Sequence, residues 1–194
     1  MKKLILGLLA STLAMPVLAQ PKGSLELVLG SAKQSAEFEG EEFFSGDDTS
    51  FAIRGTLNAN EYLAVELGYH NYGEPDETYT NSFDIIHDEV NATAINLGLK
   101  GIIPLDANVA INARAGIASW DLEVKQTDSS FPGVMFSYED SGTDLYYGVG
   151  LQFKANDQLN VGVEYMVTNM KPSFGGDKID YDVNNLAISL GYLF

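Results

Sequence analysis

The chain has 194 residues, no cysteine and a formal net charge of −16. This length suffices for one domain, and the lack of cysteine excludes disulfides and thiolate metal sites. The acidity argues against nucleic acid as a partner, because phosphates must be met by positive charge.

The N-terminus has the layout of a cleavable secretory signal. Lys2 and Lys3 precede an apolar run at residues 4–13, and residues 17–19 offer the small side chains that a signal peptidase reads. The run is too short to cross a hydrocarbon core of about 30 Å as a helix. We therefore expect a signal peptide at residues 1–19 and a mature domain at residues 20–194.

Eight segments of the mature part alternate apolar residues with small or polar ones, the pattern of a strand with two different faces. In chain order, the apolar rows are Leu25/Leu27/Leu29, Phe51/Ile53/Leu57, Leu63/Val65/Leu67/Tyr69, Ile95/Leu97/Leu99, Ile111/Ala113/Ala115/Ile117, Leu145/Tyr147/Val149/Leu151/Phe153, Leu159/Val161/Val163/Tyr165/Val167 and Leu186/Ile188/Leu190/Tyr192/Phe194. The opposite rows hold glycines and a few charged residues, whereas the wet face of a soluble sheet is typically covered by larger polar side chains. Aromatic residues near the row ends suit the two interfaces of a membrane.

The connections alternate between short and long. Short ones lie at residues 58–61, 104–108 and 155–158, and long ones at 34–49, 71–89, 121–143 and 170–182. Outer-membrane barrels have short periplasmic turns and long extracellular loops. We therefore predict an all-β fold, an eight-stranded antiparallel up-and-down transmembrane β-barrel with mobile acidic loops outside.

Charged residues on the small-residue face form the first candidate site. We predict that they build an ion-pair network in the barrel lumen; its members are Glu26, Arg54, Glu66, Lys100, Arg114, Lys154 and Glu164. Such a network packs a narrow barrel and fixes its register. The alternative is a gate, in which a change of ion-pair partners opens a narrow water path.

The last strand forms the second candidate site. Its alternating residues Leu186, Ile188, Leu190, Tyr192 and Phe194 end on an aromatic. An alternating strand of this kind can add to the sheet edge of a partner. We expect the outer-membrane assembly machinery to read it as an insertion signal.

The long connections hold most of the acidic residues. Solvation of the cell exterior explains this acidity, and divalent-cation bridges to lipopolysaccharide are the alternative, although no segment has the spacing of an EF-hand loop. The two histidines, His70 and His87, leave open a lipid A-modifying enzyme, but no serine and acid accompany either one in the sequence. We expect no catalytic residue, no metal site and no cofactor.

The chain resembles the OmpA-type eight-stranded barrels over its whole mature length. The likeness is clearest at residues 146–153, 159–165 and 185–194. It implies a lumenal ion-pair cluster similar to Glu66, Arg114, Lys100 and Glu164. No residues follow Phe194 to form a periplasmic peptidoglycan-binding domain, so we expect the barrel domain only.

The resemblance implies an outer-membrane protein of structural and surface-interaction type. Its expected partners are outer-membrane lipid and lipopolysaccharide, the assembly machinery, and host-cell or phage ligands at the loops. A narrow gated channel is the alternative function, followed by the lipid A-modifying enzyme.

Overall fold

The computed structural model describes residues 23–80, 85–130, 133–174 and 177–194, which are mostly β-strand. The strands are β1 (Gly23–Phe38), β2 (Glu41–Asn58), β3 (Leu63–Asn71), β4 (Asp76–Thr80), β5 (Ile85–Pro104), β6 (Val109–Asp128), β7 (Met135–Lys154), β8 (Leu159–Met170), β9 (Ser173–Phe174), β10 (Asp177–Lys178) and β11 (Asp180–Leu193). Within these residues, no helix is long and apolar enough to cross a bilayer. The expected signal peptide at residues 1–19 lies outside the described residues.

Eight of these strands form a closed ring. Each strand pairs antiparallel with the next in the order β1, β2, β3, β5, β6, β7, β8 and β11, and β11 pairs with β1. At the join, the Gly23 N–H donates to the Phe194 carbonyl at 2.8 Å, and the Phe194 N–H donates to the Gly23 carbonyl at 3.0 Å. The predicted eight-stranded antiparallel barrel is confirmed.

The strand register sets the width of the barrel. A path from Ser24 through successive paired residues on the other seven strands returns to β1 at Gln34, a stagger of ten residues. With about 3.3 Å per residue and about 4.8 Å between strands, this stagger gives a tilt of about 40°. An eight-stranded barrel of this tilt has an interior just wide enough for its own side chains.

The three short connections share one turn geometry, at residues 59–62, 105–108 and 155–158. In each turn an Asn or Asp side-chain oxygen accepts a hydrogen bond from the backbone N–H two residues later. The pairs are Asn60–Tyr62, Asp106–Asn108 and Asn156–Gln158. This local bond is the reason why Asn and Asp favour such turns, and it confirms the predicted short connections.

The outer surface of the ring is apolar up to one sharp boundary. On every barrel strand the continuous outward row of apolar residues is followed, two positions further from the short turns, by a small polar residue. This polar ring consists of Ser31, Thr49, Asn71, Thr93, Ser119, Thr143, Asn169 and Asn184. The apolar band below the polar ring covers about nine residues of strand tilted by about 40°. This is about 23 Å in height, close to the roughly 25 Å of a lipid-facing barrel surface.

The strands do not end at the polar ring, so the prediction that the four long connections are loops is wrong for most of their described residues. β5, β6 and β7 have 20 residues each, and about half of each strand lies beyond the ring. Between β1 and β2 only Glu39 and Gly40 lie outside strands, with φ values of 53° and 85°. Two positive φ angles define the type I′ turn that matches strand twist in a tight hairpin.

Beyond the polar ring the barrel divides into two facing sheets. The β2–β3 ladder ends at the pair Phe51–Asn71, and the β7–β8 ladder ends at Tyr146–Thr168. Past these pairs, β2, β1, β11 and β8 form one sheet, and β4, β5, β6 and β7 form the other. The part of the protein beyond the polar ring, which we call the projecting section, is therefore a sandwich of two sheets that continues the barrel strands.

The space between the two sheets holds an apolar core, which we call the outer core. Its members are Ala32, Ala36, Phe44, Tyr72, Val90, Ala92, Trp120, Leu122, Met170, Ile179, Tyr181 and Val183. The polarity of the wall therefore inverts at the polar ring. Below it, apolar side chains point outward and polar ones inward. Above it, the enclosed space is apolar and the outward rows begin with polar side chains, although Phe43, Ile85, Met135 and Phe136 nearer the strand ends are exposed.

Carboxylates replace the missing ladder bonds at the two seams between the sheets. Asp48 Oδ2 accepts from the Glu74 N–H at 2.7 Å across the seam between β2 and β4. Across the other seam, Asp140 Oδ2 accepts from the Ser173 N–H at 2.7 Å and Asp144 Oδ2 from the Lys171 N–H at 3.1 Å. Part of the acidity of the projecting section is therefore structural.

An outward arginine tests which surface contacts lipid. Leu97→Arg or Val163→Arg should lower the free energy of unfolding by about 2–4 kcal/mol, because each places a charge inside the apolar band. Ser31→Arg, in the polar ring, is the matched control and should cost clearly less. Urea titration of the barrel refolded in lipid vesicles gives the values; equal losses at all three positions would contradict the assignment of the band.

Candidate functional site

An ionic cluster of three acids and three bases crosses the lumen near the middle of the apolar band. It consists of Glu26, Arg54, Glu66, Lys100, Arg114 and Glu164, and every one of these residues is buried. The six residues come from β1, β2, β3, β5, β6 and β8, so the cluster joins six of the eight barrel strands. Their inward orientation follows from the alternation of the strands, because each of the six lies on the face opposite to the apolar row of its strand.

Glu26 contacts all three bases. Its Oε2 atom lies 2.7 Å from Arg54 Nη2 and 3.1 Å from Arg114 Nη2, and its Oε1 atom lies 3.0 Å from Lys100 Nζ. The side chain is fully buried. An ionised carboxylate is tolerated at such a position only when it is paired and hydrogen-bonded.

The two arginines link the other acids to Glu26. Glu164 Oε2 lies 2.8 Å from Arg54 Nη2 and 2.6 Å from Arg114 Nη1. Arg114 Nε lies 3.2 Å from Glu66 Oε2. Each guanidinium thus bridges two or more carboxylates with several fixed donors, which a single lysine ammonium cannot match. The charges inside the barrel balance.

Two glycines create the space for a seventh member that the sequence did not single out. The Tyr146 hydroxyl donates to Glu66 Oε1 at 2.8 Å. A Cβ atom added to Gly98 would lie 2.2 Å from the Tyr146 oxygen, and one added to Gly116 would lie 2.7 Å from its ring. Glycine is therefore required at both positions opposite the Tyr146 ring. In the sequence, an aromatic residue on an inward row with glycines on the neighbouring inward rows was the pattern that could have predicted this member of the cluster.

Lys154 does not join the ionic cluster, which corrects the prediction. Its Nζ atom lies 2.9 Å from Asp157 Oδ1 in the turn between β7 and β8, and its side chain is 42% exposed. The inward row of β7 continues from Gln152 to Lys154, but the barrel wall ends there. A long flexible side chain at this position reaches water.

The two histidines lie in different surroundings. His70 is buried inside the barrel and stacks on Tyr72 with ring centroids 5.8 Å apart. His87 is partly exposed; its Nδ1 atom lies 3.0 Å from Thr78 Oγ1 and 4.0 Å from Asp76 Oδ2. Within the described residues, no group of three or more acidic or histidine side chains is arranged to hold a metal ion.

The lumen is filled in two layers. The ionic cluster occupies its middle, and the outer core follows towards the projecting end. Between them Gln34 ties both sheets together: its Nε2 atom donates to the Tyr72 carbonyl at 2.9 Å, and its Oε1 atom accepts from the Tyr181 hydroxyl at 2.5 Å. The arrangement suits a packed plug more than an open pore.

The residues of the predicted insertion signal share the outer face of β11. Leu186, Ile188, Leu190, Tyr192 and Phe194 are between 48% and 64% exposed. Their strand pairs with β8 on one side and with β1 on the other. β11 therefore makes the pairing that closes the ring.

Comparison with known proteins places this architecture in context. The family described as outer membrane protein beta-barrel domain matches residues 5–194. No curated protein sequence matches.

Several solved structures are similar to the chain. Ail, the attachment invasion locus protein of Yersinia pestis, is 16% identical with a TM-score of 0.56, and the match covers 90% of this chain and 99% of Ail. Neisserial surface protein A is 13% identical with a TM-score of 0.54, covering 88% and 97%. The N-terminal barrel of OprF from Pseudomonas aeruginosa is 11% identical with a TM-score of 0.53, covering 89% and 98%. At these identities the likeness concerns the fold.

Removal of one carboxylate tests the ionic cluster. Glu26→Gln should lower the free energy of unfolding by about 3–5 kcal/mol, because three buried bases lose a shared partner. Lys154→Gln removes a charge of the exposed turn pair and should leave unfolding unchanged. Denaturant titration of both variants in the same detergent gives the comparison; equal stability of the two variants would show that the cluster is not coupled to folding.

Proposed function

Because the chain belongs to the family of outer membrane protein β-barrel domains, we propose that it is a structural and surface-interaction protein of the outer membrane. The observation that carries this proposal is a filled barrel that continues into a folded acidic section beyond the membrane band. A filled lumen favours a role in contact over one in transport. A folded projecting section offers a preformed surface to a partner.

The charge distribution indicates the chemistry of that partner. The described residues at or beyond the polar ring, in the segments 32–49, 71–80, 85–93, 119–130, 133–143, 169–174 and 177–184, include 19 acidic and four basic residues. The ionic cluster is balanced, so nearly all of the net charge lies at the outer end. Such a surface attracts positively charged partners and repels anionic ones at short range.

A structure of Ail, 18% identical to this chain with a TM-score of 0.54, contains the heparin analogue sucrose octasulfate, a polyanion. The acidic outer end of this chain is unsuited to such a ligand. We propose instead that basic segments of host-cell or phage proteins bind here, while the apolar band contacts lipid and the acyl part of lipopolysaccharide.

The closing strand supports a second part of the proposal. Before the ring closes, β11 has a free edge and an alternating row of apolar side chains. An edge of this kind pairs with the sheet edge of a partner. We propose that the assembly machinery binds Leu186, Ile188, Leu190, Tyr192 and Phe194 at this stage.

One observation favours a gated channel as the second candidate function. Several lumenal polar atoms have no hydrogen-bond partner within the described protein: His70 Nε2, Asn112 Oδ1 and both amide atoms of Asn160. Buried polar atoms of this kind are commonly satisfied by internal water. A hydrated lumen could conduct if the ionic cluster and the outer core both rearranged. The lipid A-modifying enzyme has less support, because His70 lies inside the barrel.

Charge-neutralised variants test surface interaction. Barrels in zwitterionic nanodiscs should bind immobilised polylysine, and binding should weaken as salt screens the charges. The triple variant Glu39→Gln, Glu41→Gln, Glu42→Gln should bind more weakly than wild type. The control Glu61→Gln, Asp106→Asn, Asp157→Asn removes the same number of charges from the opposite end and should bind like wild type. Equal loss in both variants would contradict a directed acidic surface.

Planar-bilayer recording separates the two candidate functions. The refolded barrel should give no discrete openings, because the ionic cluster and the outer core fill the lumen. The variant Glu26→Gln in the same bilayer shows whether a weakened cluster admits ions. Discrete openings of the wild type would favour the channel and contradict the filled lumen.

A further inference from the structure

The tip of the β1–β2 hairpin contains a β-bulge that brings the side chains of two consecutive phenylalanines to one cavity. The register pairs Ala36 with Phe44 and Glu37 with Glu42, so Phe43 is the extra residue of the bulge. A bulge changes the direction of a side chain relative to regular alternation. Here Phe43 and Phe44, which are neighbours in sequence, line the same cavity.

This cavity lies at the outer end of the sandwich, between its two sheets. Its volume is about 150 Å³. One wall is formed by β1, β2, β11 and the residue before β11; its lining residues are Ala36, Phe43, Phe44, Tyr181 and Ile179. The other wall is formed by β5 and β6 and consists of Asp88, Val90, Leu122 and Val124. An apolar cavity of about 150 Å³ in a protein is large enough to bind benzene.

One charged side chain stands in this otherwise apolar wall. Asp88 Oδ1 accepts a hydrogen bond from Gln126 Nε2 at 2.9 Å, which fixes the carboxylate beside the cavity. The hairpin whose Phe43 and Phe44 line the cavity also carries Glu37, Glu41 and Glu42, so the field at this end of the sandwich is negative. A carboxylate or phosphate on the ligand would be repelled there, whereas an ammonium or guanidinium would be attracted.

We propose that this cavity is a binding site for an apolar group of benzene size attached to a cation. The apolar group enters between the sheets against Phe44 and Leu122, and the cation stays at the mouth beside Asp88. Both a free arylalkyl ammonium ion and an apolar residue within a basic peptide have this chemistry. The site extends the proposed surface function by naming a ligand class, and rests on it only for the outward orientation of the sandwich.

Binding of 2-phenylethylammonium to the barrel in zwitterionic nanodiscs tests the site. Titration calorimetry measures affinity, and the fluorescence of Trp120, the one tryptophan of the chain and a member of the outer core, reports on packing beside the cavity. Empty nanodiscs correct for partition into lipid. The ammonium ion should bind, and 3-phenylpropionate, with the same ring and a carboxylate, should bind at least about tenfold more weakly, a difference of about 1.4 kcal/mol.

Two pairs of variants locate the site. Ala36→Leu fills the cavity and should abolish binding, whereas Ser35→Leu adds the same side chain on the outer face and should not. Asp88→Asn should weaken binding about threefold, the size expected for one partly exposed ion pair. Glu139→Gln removes an acid away from the cavity and should have no effect. Heat-modifiable migration on gels confirms that each variant is folded.

The possible outcomes are distinct. Binding of the free ion identifies a small organic cation as ligand, and binding only of the capped peptide Lys-Phe-Lys, with Lys-Gly-Lys inert, identifies a basic peptide. Absence of binding by both, or equal binding of 3-phenylpropionate, overturns the proposal. Because the measurement does not use polylysine, its failure would leave the test of surface interaction unaffected.

Discussion

Hydrogen bonding of the backbone in lipid is the constraint from which the rest of the structure follows. Lipid offers no partner to a peptide N–H or carbonyl, so every ladder within the apolar band must be continuous. The pairing of β11 with β1 meets this demand, and the two ladders that are interrupted stop at Phe51–Asn71 and Tyr146–Thr168, near the level of the polar ring. Beyond it, water and carboxylates can satisfy backbone groups, and the wall is free to divide into two sheets.

The same boundary governs where charge is placed. Inside the band, three acids and three bases neutralise one another within a lumen too narrow for bulk water, and each charge has several partners. Outside it, the interior can be apolar because the exterior is wet. The medium outside the wall therefore determines how the interior is filled. Where lipid surrounds the barrel, the interior is filled by the polar ionic cluster, and where water surrounds the sandwich, it is filled by the apolar outer core.

Period-2 alternation was sufficient to predict the strands of the band, their number and six members of the ionic cluster. It failed above the polar ring for a physical reason that β6 illustrates. The apolar residues of β6 are odd-numbered up to Ile117 and even-numbered from Trp120 to Val124, since polarity inverts while the strand continues. In a sequence, such a switch of the apolar residues from odd to even positions has the same pattern as the end of a strand. The prediction for Lys154 was wrong for the opposite reason. The alternating pattern of β7 continues to this residue, although the barrel wall ends there and the side chain reaches water.

A paired projecting section changes how a partner would be bound. Flexible loops lose conformational entropy when they become ordered on a ligand, whereas hairpins that are already paired lose little. Part of the acidity is not available for binding, because Asp48, Asp140 and Asp144 hold the seams. The carboxylates of the β1–β2 hairpin tip, Glu39, Glu41 and Glu42, are exposed and can attract a cation. Their positions are fixed by the register of the strands below, so the barrel that satisfies the membrane also determines the geometry of the surface presented outside it.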